Sequence, residues 1–408
     1  MTTESIQKYA HVLVEAVNVQ KGQSLLVKGE PVHWPLINAI AEEAYQRGAR
    51  YVQVHSNHAA LYSARVRYSE PEYLDQVPNT YKTDLSTYME EGWALISIKN
   101  PEDPDFLATL DSARHARTNK ALRVVEYPWR QRMQADHFQW LVCAFPTPAW
   151  AAKVLGTQAT AAASDRLWDI MQPILFLDSA DPAAQWRRFG ETLAGRAARL
   201  GELNLRELRF TGAGTDLRVG LTKRALWVGG GAETPAGVKF HPNLPTYEVF
   251  TTPDFRATEG IARASRPGLV MDQVVEEPWF RFEKGGVVEW GARSGLEALD
   301  RYFEADSNNR YLGEVALVDS TSPIFTSGNV FYNILFDENA ACHVALGSAY
   351  PGCLTGGNDL TPQQLREAGA NVSTYHTDFM IGSPEVEVTG TTVDGAEVGI
   401  ISEGRFVI

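Results

Sequence analysis

The chain has 408 residues, 44% of them hydrophobic and 21% charged, with a formal net charge of −13. That length is far above the size at which a core is hard to build and predicts two domains. The absence of Pro/Gly-rich or single-residue tracts excludes a largely disordered chain. An acidic balance without any Lys/Arg cluster argues against a nucleic-acid partner. No segment approaches the ~20 apolar residues of a bilayer-spanning helix.

The opening stretch, MTTESIQKYAHVLVEAVNV, lacks the basic region, apolar core and small-residue cleavage site of a secretory signal. Its residues 3–19 have helical apolar spacing. QSLLVKG (23–29) then reads as a strand, WPLINAIAEEAYQRGA (34–49) as a helix with glycine at its stop, and RYVQVHS (50–56) as a strand. The order repeats with WALISI (93–98), a helix over 105–122 and QWLVCAF (139–145). Strands alternating with helices predict a mostly parallel sheet with helices on its faces. A long amphipathic helix over 182–202 closes this half, and a domain boundary is placed near residue 200.

Beyond it the pattern turns β-rich. ELRFTG, TDLRVGL, IARASRP, WFRFEKGGVVEW, GEVALVD, HVALG and VEVTGTTVDGAEVGII are strand-like, and EKGG and VDGA supply hairpin turn chemistry. Helical patterns at 295–305 and 361–369 interrupt them. The expected architecture is an α/β domain over 1–200 followed by a β-rich α+β domain over 201–408.

Nucleotide chemistry is missing: there is no GxGxxG after a strand and no GxxxxGK[ST]. The glycine-rich GGGAETPAG (229–237) has no lysine to reach a phosphate and reads as a mobile loop. His55 and His58 read as exposed loop histidines. Cys143, Cys342 and Cys353 show no CxxC spacing and are odd in number, which predicts reduced thiols in a cytoplasmic protein. Cys353 follows His343 but has no partner cysteine to make a zinc site.

Metal-capable residues gather in the second half, where strands meet turns. Glu248 lies in NLPTYEVFTTP, and Glu314 opens the apolar run GEVALVD. Asp337, Glu338, His343 and Tyr350 lie within FYNILFDENAACHVALGSAY, and His376 and Asp378 within YHTDFMIGS. In a strand, residues two apart share a face, so His376 and Asp378 either grip one cation together or bond to each other. Glu248, Glu314, Glu338 and Asp378 with two imidazoles match the ligand types of a two-metal hydrolase, four carboxylates offsetting two divalent cations. Left empty, each carboxylate pair ~4 Å apart would repel by roughly 4 kcal/mol. A hydroxide bridging the two metals would be the nucleophile, its pKa lowered towards neutrality.

The blocks NLPTYEVFTTP, LGEVALVD…SPI, FYNILFDENAACHVALGSAY and HTDFMIGS resemble, in order and separation, those of the aminopeptidase T / aminopeptidase S family of metallopeptidases. The resemblance is specific over about residues 240–385. In the first half AIAEEAYQRGARYVQV and FPTPAWAAKVLG are similar to the family's α/β domain. It implies a two-domain homodimer that removes N-terminal residues from peptides, using two zinc, cobalt or manganese ions. It implies Glu248, Glu314 (bridging), His343, His376 and Asp378 as metal ligands, and Glu338 as a ligand or nearby catalytic carboxylate. Tyr350 matches a tyrosine beside the metals. Tyr247 departs from the family, which more often has glycine there.

The implied mechanism has one metal polarising the scissile carbonyl and the other anchoring the free α-amine. Glu338 or Glu314 would move the proton, and Tyr350 would donate to the oxyanion. Three rivals share the residues. A non-haem iron oxygenase uses HxD with a downstream histidine, but no histidine follows His376. A related amidase or esterase would act on a substrate other than a free peptide N-terminus. A catalytically silent relative would keep the site without turnover.

Overall fold

The computed structural model describes residues 1–56, 58–100, 102, 106–271 and 273–408. The chain divides into two compact units, Met1–Trp186 with Gly231–Leu244, and Arg187–Gly230 with Pro245–Ile408.

The first unit is built on a four-stranded sheet in the order Tyr51–Ser56, Ser24–Gly29, Ala94–Ile98, Trp140–Cys143. Every pairing is parallel, with Leu25 opposite Val52 and Ala94, and Ile96 opposite Leu141. The inner strands are apolar because helices cover both faces of a parallel sheet: Leu25, Leu26 and Val27 are buried, as is all of Ala94–Ile98. The first helix, Thr3–Val17, starts at a reciprocal capping box between Thr2 and Ser5 and stops at Asn18 in the left-handed region. Asp105, where one helix was expected to begin, lies outside the described residues. The helix itself spans Ser112–Gln134, capped by Asp111 and carrying Pro128 in its interior.

The glycine-rich stretch forms part of a short hairpin and is anchored at its start. Ala232–Glu233 pairs with Lys239–Phe240. Gly230 sits at φ +83, where a Cβ would meet the Gly190 carbonyl oxygen at 2.0 Å. Glycine is there to let the backbone approach a helix, not to cradle a phosphate.

The second unit is β-rich with interspersed helices, as expected. Eight antiparallel strands run in the order Gly286–Gly291, Trp279–Glu283, Pro253–Arg263, Thr215–Leu221, Leu205–Gly212, Glu387–Thr392, Glu397–Ser402, Arg405–Phe406. The EKGG hairpin places Lys284 and Gly285 at positive φ, the backbone that a tight two-residue turn requires. A second antiparallel sheet has the order His376–Met380, His343–Gly347, Leu312–Val318, Glu248–Thr251. Between them lies one core that includes Phe210, Leu217, Phe280, Phe282, Val315, Leu317, Val344, Leu346 and Phe379.

Candidate metal centre

The smaller sheet of the second unit decides which side chains meet. Its register sets Val318 opposite Glu248, Ala316 opposite His343, Glu314 opposite Ala345, Ala345 opposite Asp378, and Gly347 opposite His376. Directly opposed residues share a face and alternate residues along a strand share a face. Glu248, Glu314, His343, His376 and Asp378 therefore all lie on one face. The residues between them, Val249, Val315, Leu317, Val344, Leu346 and Phe379, point the other way into the core. Ala316 and Ala345 lie among the polar residues on that face, where small side chains leave the ligands room.

The polar face forms two groups, Glu248 with Glu314 and His343, and Glu314 with His376 and Asp378. Within each group one ligand atom per residue lies inside 4.8 Å of the others. Glu314 belongs to both and divides its oxygens between them. Oε1 is 3.4 Å from His343 Nε2, and Oε2 is 3.5 Å from His376 Nε2. His343 Nε2 is also 3.3 Å from Glu248 Oε2, and His376 Nε2 is 3.2 Å from Asp378 Oδ1. Among the described residues these are the two groups of this kind.

Proton placement on the histidines follows from their other nitrogens. His376 Nδ1 is 2.7 Å from the Ser348 carbonyl oxygen, and His343 Nδ1 is 3.3 Å from that of Ala341. A carbonyl oxygen only accepts, so Nδ1 carries the hydrogen and Nε2 is the free ligand atom. Without a cation, Nε2 must hold a proton to face carboxylates. Burial would lower His376, but Asp378 and Glu314 override it and raise it to about 10. Glu314, Glu248 and Asp378 likewise overcome the burial of His343 and raise it to about 9. Burial, then Glu314 and Asp378, push Glu248 up to about 8. Burial would also raise Asp378, yet the two histidines hold it below its ordinary range. Such mutual compensation is what a divalent cation replaces, and imidazole with carboxylate donors suits zinc-like ions. The site offers ligands for two divalent cations.

Glu338 lies beside these groups and outside both. It sits in the helical turn Glu338–Ala340, half-buried, with Asn339 Nδ2 at 3.4 Å from its Oε1. Burial first, then Glu248, Asp378 and Glu314, raise its carboxyl above the ordinary range. Tyr350 stacks obliquely on His376 at 4.8 Å between ring centres and is 39% exposed. The exposure is on the ring, whereas its hydroxyl end is enclosed, and that enclosure with the carboxylates of Glu314, Asp378, Glu338 and Glu248 holds the hydroxyl well above the usual tyrosine range.

The remaining sequence candidates are structural. Asp337 turns inward and accepts from the backbone N–H groups of Phe331 (2.8 Å) and Asn333 (3.1 Å). Tyr247 packs against Phe189, so its bulk goes into packing. His55 and His58 are half-buried rather than exposed: His55 lies on the strand Tyr51–Ser56 and bonds the Tyr88 hydroxyl at 2.8 Å, and His58 caps the helix Ala59–Tyr68. Cys353 is buried and lies in no disulfide. Sequence reasoning passed over Asn339, which has no charge to mark it, and Ala316 and Ala345, whose part is to be small.

The chain matches the family model described as thermophilic metalloprotease (M29) over residues 2–406. It is 36% identical over 404 residues to Aminopeptidase 2 of Geobacillus stearothermophilus, covering 99% of this chain and 98% of that one. It is also 36% identical over 407 residues to Aminopeptidase T of Thermus aquaticus, covering 100% and 99%. The solved structure of wild-type AmpT from Thermus thermophilus superposes with a TM-score of 0.92 at 34% identity, covering 99% of each chain. With the motif blocks, the fold and the one-faced ligand set all in agreement, this chain belongs to the thermophilic metalloprotease (M29) family.

Proposed function

We infer that this chain is a metal-dependent aminopeptidase, a hydrolase that removes the N-terminal residue from peptides. The observation that carries this reading is Glu314, whose two oxygens face two different histidines and so join two ligand groups into one dinuclear centre. The family match and the names of its relatives supply the substrate class.

Glu248, Glu314, His343, His376 and Asp378 would hold the ions. When bound, two divalent cations supply Lewis acidity at the scissile carbonyl and bring a water's pKa towards neutrality. The chain's own residues do the rest. Glu338, beside the ligand groups but outside both, takes the proton of the attacking water and returns it to the leaving amine. Tyr350 keeps its hydrogen at neutral pH and donates it in a hydrogen bond to the oxyanion that develops on the former carbonyl.

Finer points of the reading rest on chemistry. Imidazole and carboxylate donors favour zinc, cobalt or manganese. Three buried cysteines that form no disulfide suit a reducing, cytoplasmic setting. No helix among the described residues is long and apolar enough to cross a membrane. The net charge of −13 disfavours nucleic acid as a partner, and a homodimer follows from the family resemblance. In this reading residues 1–200 form an α/β domain and 201–408 the catalytic domain, which agrees with all seven site residues lying beyond 200, although the compact units change over at Trp186 and the first also takes in Gly231–Leu244.

The test is hydrolysis of a free-amine leucyl anilide by chelator-stripped protein, before and after adding cobalt or zinc. Activity should return with metal and be absent on the N-acetylated substrate. Equal hydrolysis of the blocked substrate would move the assignment to another amidase.

A further inference from the structure

Asn339 is fully buried beside Glu338, and its side chain ties together parts of the chain far apart in sequence. The Tyr247 backbone N–H donates to Oδ1 at 2.6 Å, and Nδ2 donates to the Leu335 carbonyl at 3.0 Å. These partners fix the amide's orientation, since an N–H only donates and a carbonyl oxygen only accepts. The same Nδ2 lies 3.4 Å from Glu338 Oε1. The Asn339 carbonyl accepts from Ser322 Oγ at 3.2 Å, and that hydroxyl also caps the turn Pro323–Thr326. Tyr247 directly precedes Glu248, so one amide connects the backbone at a metal-facing carboxylate to the carboxylate next to it in space.

We propose that Asn339 is a positioning residue that locks the Glu338 carboxylate to the Glu248 end of the site sheet, fixing the separation between proton carrier and metal ligands. The inference rests on the reading of Glu338 as the proton carrier. No other residue of this size supplies both halves of the link. Aspartate accepts from Tyr247 but loses the donor arm to Glu338 and Leu335, and adds a negative charge where Glu248, Asp378 and Glu314 already crowd Glu338. Leucine or alanine leaves a buried N–H and carbonyl unpaired.

The experiment compares Asn339→Asp, Asn339→Ser, Glu338→Gln and the double variant Asn339→Asp/Glu338→Gln on a leucyl anilide, with metal content measured on each protein. A residue acting through Glu338 should keep the parent's metal content and a KM within about twofold. Its kcat should fall by roughly 10–100-fold, the size expected for losing an outer partner of a metal site. In the Glu338→Gln background the same substitution should change kcat little, because the group it positions is gone. An additive loss in the double variant, a loss of bound metal, or an unchanged kcat would each overturn the role of Asn339 while leaving that of Glu338 standing. If Asn339→Asp is insoluble, Asn339→Ser is read by the same criteria. Insolubility of both makes Asn339 a folding residue and overturns the proposal. Undiminished turnover in Glu338→Gln would instead remove the proton carrier itself, and this inference with it.

Discussion

The two units each build a four-stranded sheet with histidine on a strand, yet only one sheet makes a reactive site. In the parallel sheet His55 stands opposite Lys28, and its Nε2 meets the Tyr88 hydroxyl and the Gln53 amide. Burial and then Lys28 lower its affinity for a proton, while the nearby carboxylate of the exposed Asp84 stays 3.9 Å away and offsets little of that lowering. In the antiparallel sheet of the second unit, His343 is fully buried and His376 half-buried like His55, but buried carboxylates face their Nε2 atoms and backbone carbonyls hold their Nδ1 atoms. Both rise well above the ordinary histidine range. All three rings are at least partly buried. Buried carboxylates at one nitrogen and a backbone carbonyl at the other separate an imidazole that can ligate from one that fills a polar corner.

Substitutions should divide the two sheets sharply. Glu314→Ala removes the carboxylate that both ligand groups share, so turnover should fall beyond the ~10–100-fold loss typical of an outer-partner change. Metal analysis on the same protein should show depleted metal. Tyr350→Phe should lower kcat by roughly 10²-fold, the cost of one donor to a developing oxyanion, and steady-state kinetics checks it. Metal uptake should release protons at neutral pH. His343, His376 and Glu248, raised to about 9, about 10 and about 8, hold protons in the metal-free site and must yield them to a cation. Apparent affinity should therefore rise with pH, as calorimetry in buffers of different ionisation enthalpy will report.

Effects in the first unit should be smaller and confined to stability. His33 is fully buried and pushed by burial down to about 4. Its folded value is depressed, so the unfolded chain takes up a proton first. Stability is whole above the unfolded value of ~6.5 and declines as pH falls towards 4, by at most ~3 kcal/mol. Urea midpoints between these limits should show the slope, and His33→Gln should flatten it. His55→Phe should leave turnover unchanged and cost about 1 kcal/mol, the worth of one hydrogen bond. A drop in activity there would erase the contrast between the sheets.

The sequence made much of this visible for identifiable reasons. Apolar runs such as Leu25–Val27 and Ala94–Ile98 announce inner parallel strands, and HxD followed by an apolar run announces a one-faced strand at His376. Periodicity under-reads the helix Ser112–Gln134, whose polar surface and internal Pro128 hide its last turns. Asn79–Glu90 and Ala161–Ile174 escape for similar reasons, the second carrying Pro173 near its end. Convergence of Glu248 with Glu314 has no local signature, because strand pairing creates it. The same holds for Asn339, whose bond to Tyr247 spans 92 positions.

The alternation on the site sheet has a consequence for how the protein can fail. Because ligands and core residues occupy successive positions, a slip of one residue in any of these strands would turn its imidazoles or carboxylates into the apolar interior. The mispaired chain would lose its cations and bury unpaired charge in the same step. Correct strand alignment and the ability to bind metal are thus one quality check, and a folding intermediate that holds both ions has already proved its register.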